Sequence, residues 1–328
     1  GAMISASHNP MEDNGIKFFD GRGLKLPDAV EDRIQELLGS DDLPRPLGAD
    51  VGRISELAGA AQSYSDFLAS EVGVDLSGFV IAVDCANGAA SHIAPKLLRS
   101  MGAQVLAYAS DPDGININRD CGSTHPEFLI GHMDGSGAQI GISYDGDADR
   151  VLFVDEHGKL VDGDHVLAIC ARHMAEGGKL KDLAVAATVY SNGGLQASVK
   201  QWGGRVVVTK AGDRYVLEAM LEQGLSLGGE QSGHIIFLDH NTTGDGILTS
   251  LKILQIMAET KKTLGTLGRV MNVFPQVLNN VRVQRPGDWQ ENSAILKAIA
   301  QAEASLAPEG RVFVRASGTE PLIRVMTE

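Results

Sequence analysis

Apolar runs and amphipathic stretches alternate along most of the chain. Residues 79–83 form an apolar run of strand length, followed by a turn at Asn87-Gly88, a helical stretch over 93–98 and a second apolar run over 104–108. Strand, helix and strand in that order predict a βαβ unit, and hence a mainly parallel sheet covered by helices. The pattern returns at 183–189, 195–200 and 205–208, with little identity between the two copies. Beyond Val273-Phe274-Pro275 it changes: a strand over 280–283, an amphipathic helix over 293–306, and a hairpin-like pair over 312–315 and 322–326. That combination predicts a smaller α+β domain.

Breaks in the pattern divide the chain. A polar, proline-marked stretch runs over 40–46, a glycine-bounded one over 73–78, and Ala175-Glu176-Gly177-Gly178 closes a long helix. The expected domains are 1–72, 73–178, 179–281 and 282–328. The fold class is α/β: consecutive mixed or parallel-sheet α/β domains, with the α+β domain last. The start, Gly1-Ala2-Met3, lacks the basic and apolar regions of a signal peptide and reads as a cleavage scar, so the chain is expected to be a piece of a longer protein.

Composition narrows the function classes. The 328 residues carry 28 Lys and Arg against 42 Asp and Glu, a net charge of −14. Such a field repels nucleic acid and anionic membranes, and neither is an expected partner. An anionic substrate would need a local basic pocket. The three cysteines, Cys85, Cys121 and Cys170, form no CxxC pair, which argues against a disulfide framework or a cysteine zinc site and favours a reducing cytoplasm. No apolar run approaches the roughly 18 residues that span a bilayer.

Four motifs carry candidate chemistry. Ser5-Ala6-Ser7-His8-Asn9-Pro10 places a serine in a tight polar loop, as a nucleophile or as an ordinary cap. Asp145-Gly146-Asp147-Ala148-Asp149-Arg150 sets carboxylates at alternate positions, from which oxygens can converge on one hard cation. An EF-hand fails here, although Glu156 falls at its twelfth position. Arg150 stands where glycine is required, and 151–154 reads as a strand. Gly228-Gly229-Glu230-Gln231-Ser232-Gly233-His234 suits close approach to sugar hydroxyls. Arg315-Ala316-Ser317-Gly318-Thr319-Glu320-Pro321, with Arg324 beyond it, suits an anion nest. A fifth stretch, Lys210-Ala211-Gly212-Asp213-Arg214, adds two cations at a strand-to-helix turn.

In that order the motifs resemble the α-D-phosphohexomutase superfamily, over essentially the whole chain. The stretch Asp113-Gly114-Ile115-Asn116-Ile117-Asn118, then Cys121-Gly122-Ser123-Thr124-His125-Pro126-Glu127, Gln231, and Thr242-Thr243-Gly244-Asp245-Gly246 resemble its bacterial amino-sugar branch. The resemblance implies four domains around one cleft, with Ser7 as the phosphoserine. It implies a Mg²⁺ site built from Asp145, Asp147, Asp149 and a phosphoserine oxygen. Glu230 and Ser232 would hold sugar hydroxyls, and Arg315, Ser317, Gly318, Thr319 and Arg324 a phosphate. Lys17 and His234 would move protons, with Lys210 and Arg150 lining the cleft.

The implied reaction interconverts glucosamine 6-phosphate and glucosamine 1-phosphate through a glucosamine 1,6-bisphosphate, feeding UDP-N-acetylglucosamine and cell-wall synthesis. The implied partners are the amino-sugar phosphate, a sugar bisphosphate activator and, as an open option, a second copy in a homodimer. Alternatives are preference for mannose or glucose phosphates, or sugar-phosphate binding without turnover. Three departures bear on this. The family's opening residues and closing helix have no counterpart here, and Ser63 stands where Arg is commoner.

Overall fold

In the computed structural model, which describes residues 1–40, 43–284, 288–307, 310–316 and 321–328, four sheets follow one another along the chain. The first is a hairpin of β1 (Ala2–Ser5) and β2 (Gly15–Phe18), followed by α1 (Asp28–Leu38) and α2 (Ala60–Val72). It contributes little core: of the described residues 1–60 only Ala6 is buried.

The second unit runs β3 (Val80–Asp84), α3 (Ala94–Ser100), β4 (Gln104–Tyr108), α4 (Pro126–Met133), β5 (Ile140–Tyr144), β6 (Val151–Val154) and β7 (Leu160–Val161). Its sheet order is β4-β3-β5-β6-β7, parallel across β4, β3 and β5 and antiparallel beyond. The continuous apolar run of β3 is explained by cover on both faces, as parallel strands require. Ile81, Ala82, Val83 and Asp84 are all fully buried.

The third unit comprises α5 (Gly163–Glu176), β8 (Ala184–Thr188), α6 (Gly193–Gln201), β9 (Arg205–Thr209), α7 (Asp213–Gln223), β10 (Leu227–Gly229), β11 (Ile235–Phe237), α8 (Gly246–Thr260) and α9 (Leu264–Gly268). Its order is β11-β10-β8-β9, with β8 parallel to both neighbours and β10 antiparallel to β11. The long helix expected to close the second unit is α5, which packs on α6, α8 and β10 of the third. The fourth sheet is β12 (Val277–Arg282), β14 (Leu322–Thr327) and β13 (Val312–Ala316), all antiparallel, with α10 (Ser293–Leu306) between β12 and β13. β12 spans the expected 281/282 seam and pairs with β14 throughout, so it lies wholly in the last sheet.

One buried polar joint ties α5 to the turn before α6. Asp164 Oδ2 accepts the Asn192 N–H at 2.7 Å, while the Asn192 side chain donates to Phe274 O and accepts from Phe274 N–H, both at 2.9 Å. Nearby, Arg311 pairs with Glu328 at 2.7 Å and donates to the carbonyls of Val189 and Ser191, fastening the fourth sheet to the third. Burial pushes Asp164 up to about 7, against the opposing pull of the Asn192 N–H. No described helix is long and apolar enough to cross a membrane, and the three cysteines are free and buried.

Two outcomes follow. Amide exchange should be fast over 16–19 and slow over 80–83 and 185–188, because opening free energy tracks local burial. Equal protection in the three segments would contradict the burial pattern. Asp164 is held protonated when folded at pH values where the unfolded chain ionises, so its contribution to stability is fullest below about pH 4 and is lost as pH rises through about 7. The urea midpoint of Asp164→Asn should therefore gain on that of the parent between about pH 4 and pH 8. A pH-independent difference would show that Asp164 titrates normally.

Candidate functional site

Lys17 and Ser5 reach one acceptor because of strand geometry. In the β1–β2 register Met3 faces Lys17 and Ser5 faces Gly15, which puts residues 3, 5, 15 and 17 on one face of the hairpin. From that face Ser5 Oγ donates to Asp147 Oδ2 at 2.5 Å and Lys17 Nζ to the same oxygen at 2.7 Å. Ser5 Oγ also accepts the Ser7 N–H at 2.8 Å, linking the serine loop to the carboxylate. Ser5 was not singled out from the sequence, although its place two residues before Ser7 is the signal.

The three aspartates lie in the connection between antiparallel strands β5 and β6, where Tyr144 pairs with Val151. Asp145 N–H donates to Arg150 O at 3.4 Å, Arg150 N–H to Asp145 Oδ1 at 3.1 Å, and Ala148, at φ 60°, closes a turn onto Asp145 O. Gly146 is required: a Cβ there would stand 2.5 Å from Ser7 O and 2.7 Å from Asn118 Nδ2. Glu156 instead accepts the Gly265 N–H at 3.0 Å, away from the loop.

Each carboxylate has one oxygen engaged by the protein and one buried without a hydrogen bond: Asp145 Oδ2, Asp147 Oδ1 and Asp149 Oδ1. A ligand oxygen from each can be chosen so that all lie within 4.8 Å of one another. Buried carboxylate oxygens without donors are costly, and hard cations take oxygen ligands. The donor set therefore fits a divalent cation.

Electrostatics divide the cluster. Burial and then the carboxylates of Asp149 and Asp147 push Asp145 up. Burial also pushes Asp149 up, but His234, Lys17 and Arg150 outweigh it and hold Asp149 well below the usual range. Burial opposes the charge on Lys17, yet Asp149 and Asp147 outweigh it and raise its pKa, so Lys17 is a firm ammonium that donates hydrogen bonds to both carboxylates. His8 is lowered by burial and by Arg150, whose guanidinium donates to His8 Nδ1 at 3.1 Å. Ser7 Oγ lies 3.3 Å from the same nitrogen.

His234 comes from the β10–β11 connection and is 2% exposed. Its Nε2 lies 3.0 Å from the Gly244 N–H and accepts from it, which assigns the ring proton to Nδ1, 3.6 Å from Asp149 Oδ2. Asp213 lies 3.6 Å from Nε2 and pairs with Lys25 at 2.5 Å, two residues the sequence reasoning did not place here. Val151 N–H donates to Gly233 O at 3.1 Å, joining this connection to the carboxylate loop. Gly233, at φ 92°, is needed because a Cβ would stand 2.2 Å from Val151 O. A cavity of about 210 Å³ between segment 19–27 and α7 is lined by Lys25, Asp213, His234 and Thr242.

The structure thus brings together Ser7, Lys17, Asp145, Asp147, Asp149, Arg150 and His234. Glu230 Oε1 accepts the Gly212 N–H at 3.1 Å, which joins the third motif to the 210–214 turn, and Ser232 Oγ is buried without a partner. Lys210 lies over the Tyr215 ring at 5.5 Å, and Arg315 over the Tyr190 ring at 5.2 Å. Arg324 faces Arg315 in the β13–β14 register. Ser317, Gly318 and Thr319 lie outside the described residues.

Mixed α/β sheets carrying a serine loop against a three-carboxylate hairpin define a phosphohexomutase class of protein. Four family models, all described as phosphoglucomutase/phosphomannomutase, match: alpha/beta/alpha domain I over 1–45, domain II over 62–158, domain III over 162–274 and the C-terminal domain over 278–328. The chain belongs to this phosphoglucomutase/phosphomannomutase family. It is 52% identical to the phosphoglucosamine mutase of Carboxydothermus hydrogenoformans and 54% identical to that of Symbiobacterium thermophilum, covering 100% of this chain and 74% of each relative. Among solved structures, Aspergillus fumigatus N-acetylphosphoglucosamine mutase in complex with GlcNAc-6P and magnesium has a TM-score of 0.77 at 21% identity, over 100% of this chain and 85% of that one. That likeness is one of fold.

A cation titration checks the cluster. By calorimetry, Asp145→Asn and Asp147→Asn should each weaken Mg²⁺ or Mn²⁺ binding by at least about tenfold. Undiminished affinity in both variants would separate the three carboxylates from any cation.

Proposed function

We propose that the chain has phosphoglucosamine mutase activity, with Ser7 as the phosphate carrier and Mg²⁺ as the cation at Asp145, Asp147 and Asp149. The observation that carries the reading is Ser7 held against three carboxylates whose inner oxygens have no protein donor. The 50–54% identity to phosphoglucosamine mutases supports the substrate. Relatives' structures bearing GlcNAc-6P and glucose 1,6-bisphosphate support sugar phosphates as the ligand class.

Phosphoryl transfer depends mainly on position and charge neutralisation. Mg²⁺ held by Asp145, Asp147 and Asp149 would supply positive charge at the oxygens of the transferring group. From phosphorylated Ser7, the Oγ–P bond breaks as a sugar hydroxyl oxygen bonds to phosphorus. The hydroxyl loses its proton and the freed Ser7 Oγ takes one up, so a sugar bisphosphate and a serine hydroxyl form with no net change in protons. The other phosphate then returns to Ser7 by the reverse exchange.

In this reading His8 lies beside the Ser7 oxygen with Arg150 bonded to His8, and Lys17 is one of the two groups that move protons. His234, buried with Nδ1 3.6 Å from Asp149 Oδ2, is the second group that moves protons. Lys210, Glu230, Ser232, Arg315, Ser317, Gly318, Thr319 and Arg324 hold the sugar and the phosphate not reacting. A cytoplasmic setting accords with three buried thiols.

Ser7→Ala should lower conversion of glucosamine 6-phosphate by at least about a thousandfold. Near-parental turnover would remove Ser7 from the reaction. Faster turnover of mannose or glucose phosphates by the parent chain would reassign the substrate, and tight binding of all three without turnover would make it a binding protein.

A further inference from the structure

The Ser7 carbonyl is gripped from outside its own hairpin. The Asn118 side-chain amide donates to Ser7 O at 2.9 Å and to Asn9 O at 2.7 Å, while the Gly146 N–H donates to Ser7 O at 3.0 Å. A primary amide has two N–H donors, so one Asn118 nitrogen can make both bonds at once. The side chain spans more than 100 residues of sequence to do so, because Asn118 lies in the segment between β4 and α4.

Asn118 is itself anchored. It is 7% exposed and has φ 56°, a left-handed conformation that asparagine tolerates better than most residues. Its N–H donates to Ala86 O at 2.9 Å, and the Ala86 N–H donates to Asp84 Oδ1 at 2.9 Å. Asp84, fully buried at the end of β3, accepts the Gly122 N–H at 2.6 Å and Ser143 Oγ at 3.1 Å through its other oxygen. Hydrogen bonds therefore run without interruption from the second sheet to the serine loop.

The loop needs this support. Ser7 has φ 52°, an uncommon conformation for a non-glycine residue that costs free energy unless neighbours impose it. Its hairpin is exposed, with Ile4 75% and Ile16 61% accessible, and so supplies little packing to impose it.

We infer that Asn118 is a positioning residue for phosphoryl transfer, fixing Ser7 relative to the carboxylate hairpin by clamping the Ser7 and Asn9 carbonyls. It acts through the Ser7 main chain. Ser5 holds the Ser7 N–H, and Asn118 with Gly146 holds its carbonyl, so the peptide groups on either side of the reacting side chain are both fixed. The inference rests on Ser7 being the phosphate carrier. Misplacement of about 1 Å at a reacting atom can cost roughly a hundredfold in rate.

Two variants test it. Asn118→Gly keeps the left-handed backbone without strain and removes the amide, and Asn118→Asp keeps the shape but places acceptors where the donors were. In the metal-free chain, amide exchange over 5–12 should rise about tenfold in both variants, the scale of a lost buried hydrogen bond, while exchange over 80–84 stays unchanged. Phosphorylation of Ser7 by glucose 1,6-bisphosphate, read by intact mass, should slow by about a hundredfold.

Unchanged exchange over 5–12 in both variants overturns the clamp, as does faster exchange over 80–84 in both, which would make Asn118 a general support of the second sheet. Faster exchange over 5–12 with parental Ser7 phosphorylation overturns the positioning role. The carrier reading fails separately: if Ser7→Ala is phosphorylated to the same extent as the parent, the carrier lies elsewhere. The exchange measurement then still reports on the clamp, since it requires no turnover.

Discussion

Three carboxylates confined to one six-residue hairpin connection repel one another, and the surrounding structure is arranged to hold them there. Lys17 arrives from the first hairpin, Arg150 from the loop itself, and His234 from the third sheet. Each of the first three sheet units thus contributes a cation or a polar side chain to the same cluster. Even so, one oxygen of each aspartate remains buried without a donor. A cation bound among them would relieve that cost and would couple its binding to the packing of the units.

The same arrangement handles a conflict visible in the overall charge. A chain of net charge −14 repels an anionic sugar phosphate at long range. At the site, the positive groups are paired with aspartates and partly buried, where their fields are screened less than on the surface. Lys25 with Asp213 and Arg214 with Asp28 pair between the first segment and α7. The local field is therefore set by a few oriented pairs rather than by net charge.

Stability is distributed unevenly around the site. The second and third units share one continuous apolar core, whereas the hairpin that carries Ser7 buries almost nothing. Its conformation depends on hydrogen bonds from Asn118 and Gly146 and on the Ser5 and Lys17 contacts to Asp147. A lightly packed element held by specific bonds can adjust during a reaction with less disruption than a core strand.

Much of the architecture was legible in the sequence because its signals are local. Continuous apolar runs marked β3 and β8, alternating carboxylates marked the cation loop, and 151–154 was readable as a strand that excludes an EF-hand. Motif resemblance extended that reading to the family. What sequence spacing could not show was which distant residues meet. Asn118 on Ser7, Asp213 beside His234, and Tyr64 donating to Asp245 at 2.8 Å across 181 residues depend on how the units pack. The tautomer of His234 likewise follows from one backbone N–H at Gly244. The membership of α5 and the whole of β12 was also a tertiary matter, because periodicity marks a helix or a strand but does not name the sheet it joins. Residue type and spacing determined which chemistry the chain can carry. Only packing decided which side chains hold its reacting groups in place, because those contacts join residues that sequence order leaves far apart.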